Sequence, residues 1–170
     1  MTIYITKMSI QEQSEILKSL QFAHGKLNGI SRYFVPRNGI EIAYSNRNPH
    51  SIKDIATVND ISIGFGVDSQ ITRVIFTVLR FDEDMRSVGI IRYTDEIADI
   101  IRTVIRDVNE YDPDKFPAGI SSMDWGIASC CKDGVPRSII KKGKTEKESQ
   151  IYIFGYTPDE VSNIILITCK

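Results

Sequence analysis

The sequence predicts an α/β protein with helices on both faces of a mixed β-sheet, in a single domain. Three observations lead there. Strand-like and helix-like stretches alternate without a strict βαβ repeat, which places helices against a sheet whose strands run in both directions. The chain has 170 residues, 42% of them hydrophobic, enough for one core that buries roughly 70% of the unfolded surface without a disulfide or structural metal. No repeat, low-complexity tract or linker divides it.

The elements follow in order. Ser9-Ile10-Gln11-Glu12 has the form of a capping box, in which the Ser hydroxyl and Glu carboxylate satisfy free amides at a helix start. Ile16, Leu20, Ala23 and Leu27 then form one apolar stripe, so a helix is expected over about 9–28, ended by Asn28-Gly29. Arg32 to Val35 and Ile40 to Tyr44 read as strands, with Asn38-Gly39 making a hairpin or tight connection between them. Ser45 to Ser51 is a polar loop, and Ile52 to Val58 and Ile61 to Phe65 are further strands.

Asp68 is the expected N-cap of a helix whose buried face carries Ile71, Val74, Ile75, Val78 and Leu79. Val88 to Tyr93 is apolar and β-branched enough for a buried strand. Thr94 caps the next helix, with Ile97, Ile101, Val104, Ile105 and Val108 as its stripe. Asp112 to Pro117 breaks the pattern. A short helix near Met123 to Cys131 precedes strands at Ser138 to Ile140 and Ile151 to Phe154. Thr157-Pro158-Asp159-Glu160, a capping box with proline at the first helical position, opens the last helix.

Charge narrows the function classes. With 21 Lys+Arg against 22 Asp+Glu the net charge is −1, and the pI is near 6.1. Bulk electrostatic binding of nucleic acid or an anionic membrane needs a strongly basic face, so neither is expected. No apolar run reaches the ~18 residues of a membrane span and no secretory leader is evident, so a cytoplasmic location is expected. Cys130, Cys131 and Cys169 are too few and badly spaced for a disulfide framework or a zinc site. His24 and His50 stand alone, without the paired spacing of a metal motif, so surface or packing roles are expected and no metal site is assigned. No nucleophile motif such as G-x-S-x-G is present.

Four segments could carry chemistry. Gly64-Phe65-Gly66-Val67-Asp68-Ser69-Gln70 lies where a strand feeds a helix. Free amides there can hold phosphate and glycine lets a ligand approach, although a structural turn would read the same way. Lys142-Gly143-Lys144-Thr145 ends like a P-loop, but Ser138 replaces the first glycine and a strand follows. The stretch Lys141 to Lys147 is therefore either a solvated turn or a loop whose lysines meet a phosphorylated ligand. Asp124-Trp125-Gly126 holds the only tryptophan, a core anchor or a platform for a flat heterocycle, beside a carboxylate suited to an amine or magnesium. Arg92, inside the apolar run Ile90-Ile91-Arg92-Tyr93, must find an ion-pair partner or an anion.

Gly39-Ile40-Glu41-Ile42-Ala43-Tyr44, the glycine turn before Gln70, the run Arg73 to Asp82, Ile91-Arg92-Tyr93, Met123-Asp124-Trp125-Gly126 and the basic loop before Ile151 occur in an order and spacing that resemble the ThiN-type thiamine-phosphate synthase domain. The resemblance runs from about Leu17 to the C-terminus. It implies a three-layer α/β/α sandwich with a mixed sheet, residues 1–170 forming one such domain. Catalytic members join hydroxymethylpyrimidine diphosphate to hydroxyethylthiazole phosphate and release pyrophosphate; others resemble sensors of thiamine phosphate. The resemblance also implies a homodimer and, because such domains are often fused to a kinase or a DNA-binding module, a separate partner of one of those kinds.

The match departs from the catalytic pattern at three places. Ser69-Gln70 stands where that pattern has an Arg-His pair, an arginine expected near Asn59 to Ile61 is missing, and Glu41 replaces an asparagine. Neutral groups can hydrogen-bond a phosphate but cannot supply the positive charge that stabilises departing pyrophosphate. The expectation is therefore a ThiN-like domain that binds thiamine phosphate or its phosphorylated pyrimidine and thiazole precursors. Gly64, Gly66, Asp68, Ser69 and Gln70 would hold phosphate, Arg92 and Lys147 would pair with anionic oxygens, and Asp124, Trp125 and Gly126 would lie near a ring. One alternative is a working synthase in which Arg73, Arg92 or Lys147 replaces the missing charge and magnesium assists. Another is a regulatory or interaction protein with no small-molecule site.

Overall fold

A computed structural model of the chain describes residues 8–116 and 122–170. Pro117, in the expected pattern break, and Ser121, which precedes the tryptophan segment, lie outside them. Helix α1 (Ile10–Gly25), strands β1 (Glu41–Ser45), β2 (Ile55–Val58) and β3 (Ile63–Phe65), helix α2 (Gln70–Val78), β4 (Ser87–Ile91) and α3 (Asp95–Val104) make the first part. Then come β5 (Val108–Tyr111), α4 (Ser122–Ser129), β6 (Ser138–Lys141), β7 (Gln150–Gly155) and α5 (Pro158–Thr168).

The seven strands form one sheet in the order β3-β2-β1-β4-β7-β6-β5. Every pair is antiparallel except β5 with β6, which is parallel. One face buries Ile42, Tyr44, Val58, Ile91, Ile151 and Ile153 with Ile16, Leu20, Ile97, Ile101 and Ile165 of α1, α3 and α5. The other buries Ala43, Val88, Ile90, Ile139, Tyr152 and Phe154 with Ile71, Val74, Ile75 and Val78 of α2 and Ile127 of α4. This is the three-layer α/β/α arrangement with a mixed sheet. Lys26 at the end of α1 reaches Asp159 of α5 at 2.5 Å, which ties two helices of the first face.

The expected caps hold at three helix starts. The side chains of Ser9, Thr94 and Thr157 accept from the amides of Glu12, Ile97 and Glu160. At α2 the cap is Ser69, one residue beyond Asp68. Thr72 is the reason: its hydroxyl accepts from the Ser69 amide at 3.0 Å and donates back into the same turn. Other boundaries differ too. Arg32–Phe34 is a short 3₁₀ turn rather than a strand, because a three-residue run stopped by Pro36 has no ladder to join. Ile52–Asp54 is also a 3₁₀ turn, so β2 begins only at Ile55. Helix α1 ends at Gly25, ahead of Asn28-Gly29. Helix α3 ends at Val104, and Val108 opens strand β5, which the helical spacing of Ile105 and Val108 conceals.

Candidate functional site

A cleft of about 740 Å³ opens at one end of the sheet, where β1 and β7 begin and β2 and β4 end. Its walls include Arg37, Asn38 and Glu41 from the approach to β1, Asn59 and Ile61 after β2, and Gln70 at the start of α2. Arg92 and Tyr93 follow β4, while Glu146, Lys147 and Gln150 come from the loop into β7. Strand register explains the convergence. Glu41 lies opposite Ile90, and Ile90 opposite Tyr152, so these three share the sheet face that α2 covers.

Gln70, Arg92 and Lys147, the three sequence candidates that meet here, have different surroundings. The Gln70 amide donates to the fully buried Tyr152 hydroxyl at 2.8 Å, and that hydroxyl donates to the Gln150 carbonyl oxygen at 2.6 Å. Burial holds the Tyr152 hydroxyl neutral, its pKa well above the usual phenol range. Arg92 lies 5.5 Å from the centre of the Tyr33 ring and has a long 3.5 Å contact to the Tyr33 carbonyl. Among the described residues it has no carboxylate partner. Lys147 is exposed on the rim.

Glu41 is the cleft's partly buried carboxyl. Burial pushes its pKa up, and a hydrogen bond from Asn59 offsets part of that. Lys141, from the neighbouring strand end, has its pKa pushed down by burial, with Glu148 opposing. The loop after it is closed on itself: Ser149 accepts from the Gly143 amide and donates to the Thr145 carbonyl. It runs into strand β7, so no P-loop cradle forms.

The remaining sequence candidates lie elsewhere. Arg73 pairs with Asp68 at 3.1 Å on an exposed surface, and each holds the other's charged form. Neither lines the cleft, so Arg73 is not positioned to replace the missing charge. The Ser69 amide is given to Thr72, which removes one of the donors expected for phosphate. Gly66 has φ +81°, a left-handed conformation that favours glycine, and with Gly64 it shapes the turn without lining the cleft. Asp124, Trp125 and Gly126 belong to α4, on the far side of α2: Asp124 accepts from Thr77 at 3.5 Å, Gly126 abuts the Tyr111 ring, and Trp125 is 53% exposed. Asp124 and Gly126 thus pack α4 against its neighbours, and none of the three lines the cleft.

Arg37, Asn38, Asn59, Gln150 and Tyr152 escaped sequence reasoning. The Pro36-Arg37-Asn38-Gly39 turn gave a backbone signal, which Gly39 meets with φ +88°. Nothing in the linear order shows that it faces Gln150. No group of three or more His, Cys, Asp or Glu positioned for a metal occurs among the described residues.

A family profile described as thiamine-phosphate synthase ThiN matches residues 19–166. The chain belongs to the ThiN family. A curated relative, the bifunctional thiamine biosynthesis protein ThiDN of Methanocaldococcus jannaschii, is 26% identical over 166 residues, covering 88% of this chain but only 39% of that protein. The crystal structure of the C-terminal domain of a phosphomethylpyrimidine kinase superposes with a TM-score of 0.84 at 27% identity, covering 92% of this chain and all of that domain. The C-terminal domain of protein MJ0236 gives 0.82 at 23% identity, with 95% and 96% covered. The seven-stranded sheet with five helices is thus a ThiN fold. No helix among the described residues is long and apolar enough to cross a membrane.

Proposed function

We propose that this ThiN domain binds thiamine phosphate, or the phosphorylated pyrimidine and thiazole from which it is made, in the cleft at the strand ends. The observation that carries this is Arg92, a guanidinium packed over Tyr33 without a carboxylate partner among the described residues, facing a cleft of about 740 Å³. A partly buried cation is normally paired, and guanidinium suits the two-oxygen edge of a phosphate. Lys147 and Arg37 add positive charge around it. The volume falls within the ~300–1,000 Å³ usual for small-molecule sites.

Binding is favoured over synthesis because Gln70, where catalytic members carry the Arg-His pair, is neutral and tied to Tyr152. Losing one group that stabilises developing negative charge costs roughly 10²–10³ in rate. Synthesis is favoured by one observation: Arg37 lines the cleft and could take over part of that charge. Magnesium, in that case, would arrive on the diphosphate oxygens, since it keeps most of its waters and needs few protein ligands. A pyrimidine kinase would then be a natural partner, since one similar structure is the C-terminal domain of a phosphomethylpyrimidine kinase.

Calorimetry with thiamine phosphate tests binding. Heat of binding that is lost in Arg92→Ala is the expected result, and no heat at millimolar ligand overturns the proposal. Incubation with hydroxymethylpyrimidine diphosphate, hydroxyethylthiazole phosphate and magnesium separates the two activities: turnover that depends on Arg37 and Arg92 would make the domain a synthase.

A further inference from the structure

Glu41 and Arg92 present opposite charges to one cleft without neutralising each other. Glu41 is the cross-strand partner of Ile90, and Arg92 follows Ile90 by two residues, just past the end of β4. No ion pair within 4.0 Å joins the two among the described residues. Several acids elsewhere are matched, Asp60 by His24, Asp159 by Lys26, Glu110 by Arg102 and Glu160 by Arg137, whereas among the described residues neither cleft acid, half-buried Glu41 nor exposed Glu146, is in an ion pair. Burial makes the charge of Glu41 costly, and Asn59 offsets only part of that cost.

The ligand must therefore account for both groups. A purely anionic ligand satisfies Arg92 and Lys147 but brings negative charge toward Glu41. A neutral ring leaves Glu41 desolvated and uncompensated. A ligand with a phosphate at one end and a cationic ring at the other completes both. We infer that Glu41 selects ligands whose ring carries a positive charge, so that the zwitterionic thiamine phosphate, with its thiazolium, is preferred over the neutral-ring precursors. This inference rests on the phosphate-binding role proposed for Arg92, and it assigns a specificity-determining role to Glu41.

The test compares thiamine phosphate with its 3-deaza analogue, in which carbon replaces the charged ring nitrogen, by calorimetry at fixed ionic strength with chelator present. Wild-type protein is expected to prefer thiamine phosphate by about tenfold or more, since an opposite charge near a partly desolvated carboxylate is worth at least that much. Glu41→Gln should bring the two ligands within about twofold, with the neutral analogue bound at least as tightly as by wild type because no charge is left desolvated. Arg92→Ala should weaken both ligands alike. Equal affinities in wild type, or a preference that survives in Glu41→Gln, overturn the inference while phosphate binding stands. If neither ligand binds wild type, the proposed function fails and this inference falls with it.

Discussion

The Gln70 side chain is held by Tyr152, a residue 82 positions later, through a 2.8 Å hydrogen bond to a hydroxyl that gives its own proton to Gln150 at 2.6 Å. A hydroxyl has one proton to donate. Once Gln70 donates to it, that proton goes to Gln150, and both amides at the cleft are oriented together. Tyr152 thus sets the polarity of the cleft floor from beneath, without lining the cleft itself.

Tyr152→Phe keeps the packed ring and removes the hydroxyl. Stability should fall by about 1 kcal/mol, the usual net worth of such a bond. Urea denaturation measures that loss. Thiamine phosphate affinity should fall as well, because both amides become free to rotate. Unchanged affinity would mean that neither amide contacts the ligand.

Glu41→Gln should stabilise the free protein at neutral pH. Burial raises the folded-state pKa of Glu41 above its usual 4.5. The protonated carboxyl is therefore the form that folding favours, and stability is lost as pH rises through the folded pKa. The amide variant escapes that loss. Thermal melts should show the variant above wild type at pH 7, with the gap closing as pH falls through the range around 4.5. A variant that gains stability while losing ligand selectivity would fit a charge retained for function.

Gly126 and Trp125 divide stability from binding. A Cβ at Gly126 would run into the Tyr111 ring, so Gly126→Ala should cost about 1–3 kcal/mol by overpacking. Trp125→Ala, on an exposed helix face away from the cleft, should leave thiamine phosphate affinity within about twofold. A large loss of affinity in Trp125→Ala would move the ring-binding surface to α4.

The thiols should be unreactive in the native protein. Burial raises the pKa of Cys130, pushes Cys131 up to about 12 and pushes Cys169 up to about 11. The thiolate is the reacting form. Iodoacetamide at pH 8 should label Cys169, the least buried of the three, on the order of a hundredfold more slowly than free cysteine. Full labelling of all three should appear on denaturation, as read by mass spectrometry.

The fold was more legible than the site, for physical reasons. The caps at Ser9, Thr94 and Thr157 are local chemistry, and each side chain accepts from the amide three residues on, as the sequence indicates. Strand β5 was missed because Ile105 and Val108 also fit a helical period, and tertiary pairing with β6 decides between the two. Arg92 stands out because a charge in an apolar run needs an explanation, and the structure places it at the cleft. Trp125 lies outside that cleft, and composition does not tell a ring that packs from one that stacks on a ligand. Tyr152 and Gln150 resemble ordinary strand residues, and only the sheet order, which seats β7 against β4, brings them beneath Gln70.

That sheet order also bears on how the protein is made. Cleft walls come from residues 36–61, from Gln70 and residues 90–93, and from residues 146–150, and β7 occupies a central position between β4 and β6. A nascent chain that has left the ribosome only as far as α4 can pair β1, β2, β3 and β4, but it has no β7 to complete the cleft. On the proposed function, ligand therefore stabilises the finished sheet most, because a chain stalled or cleaved before residue 150 lacks the wall that β7 and its entry loop supply.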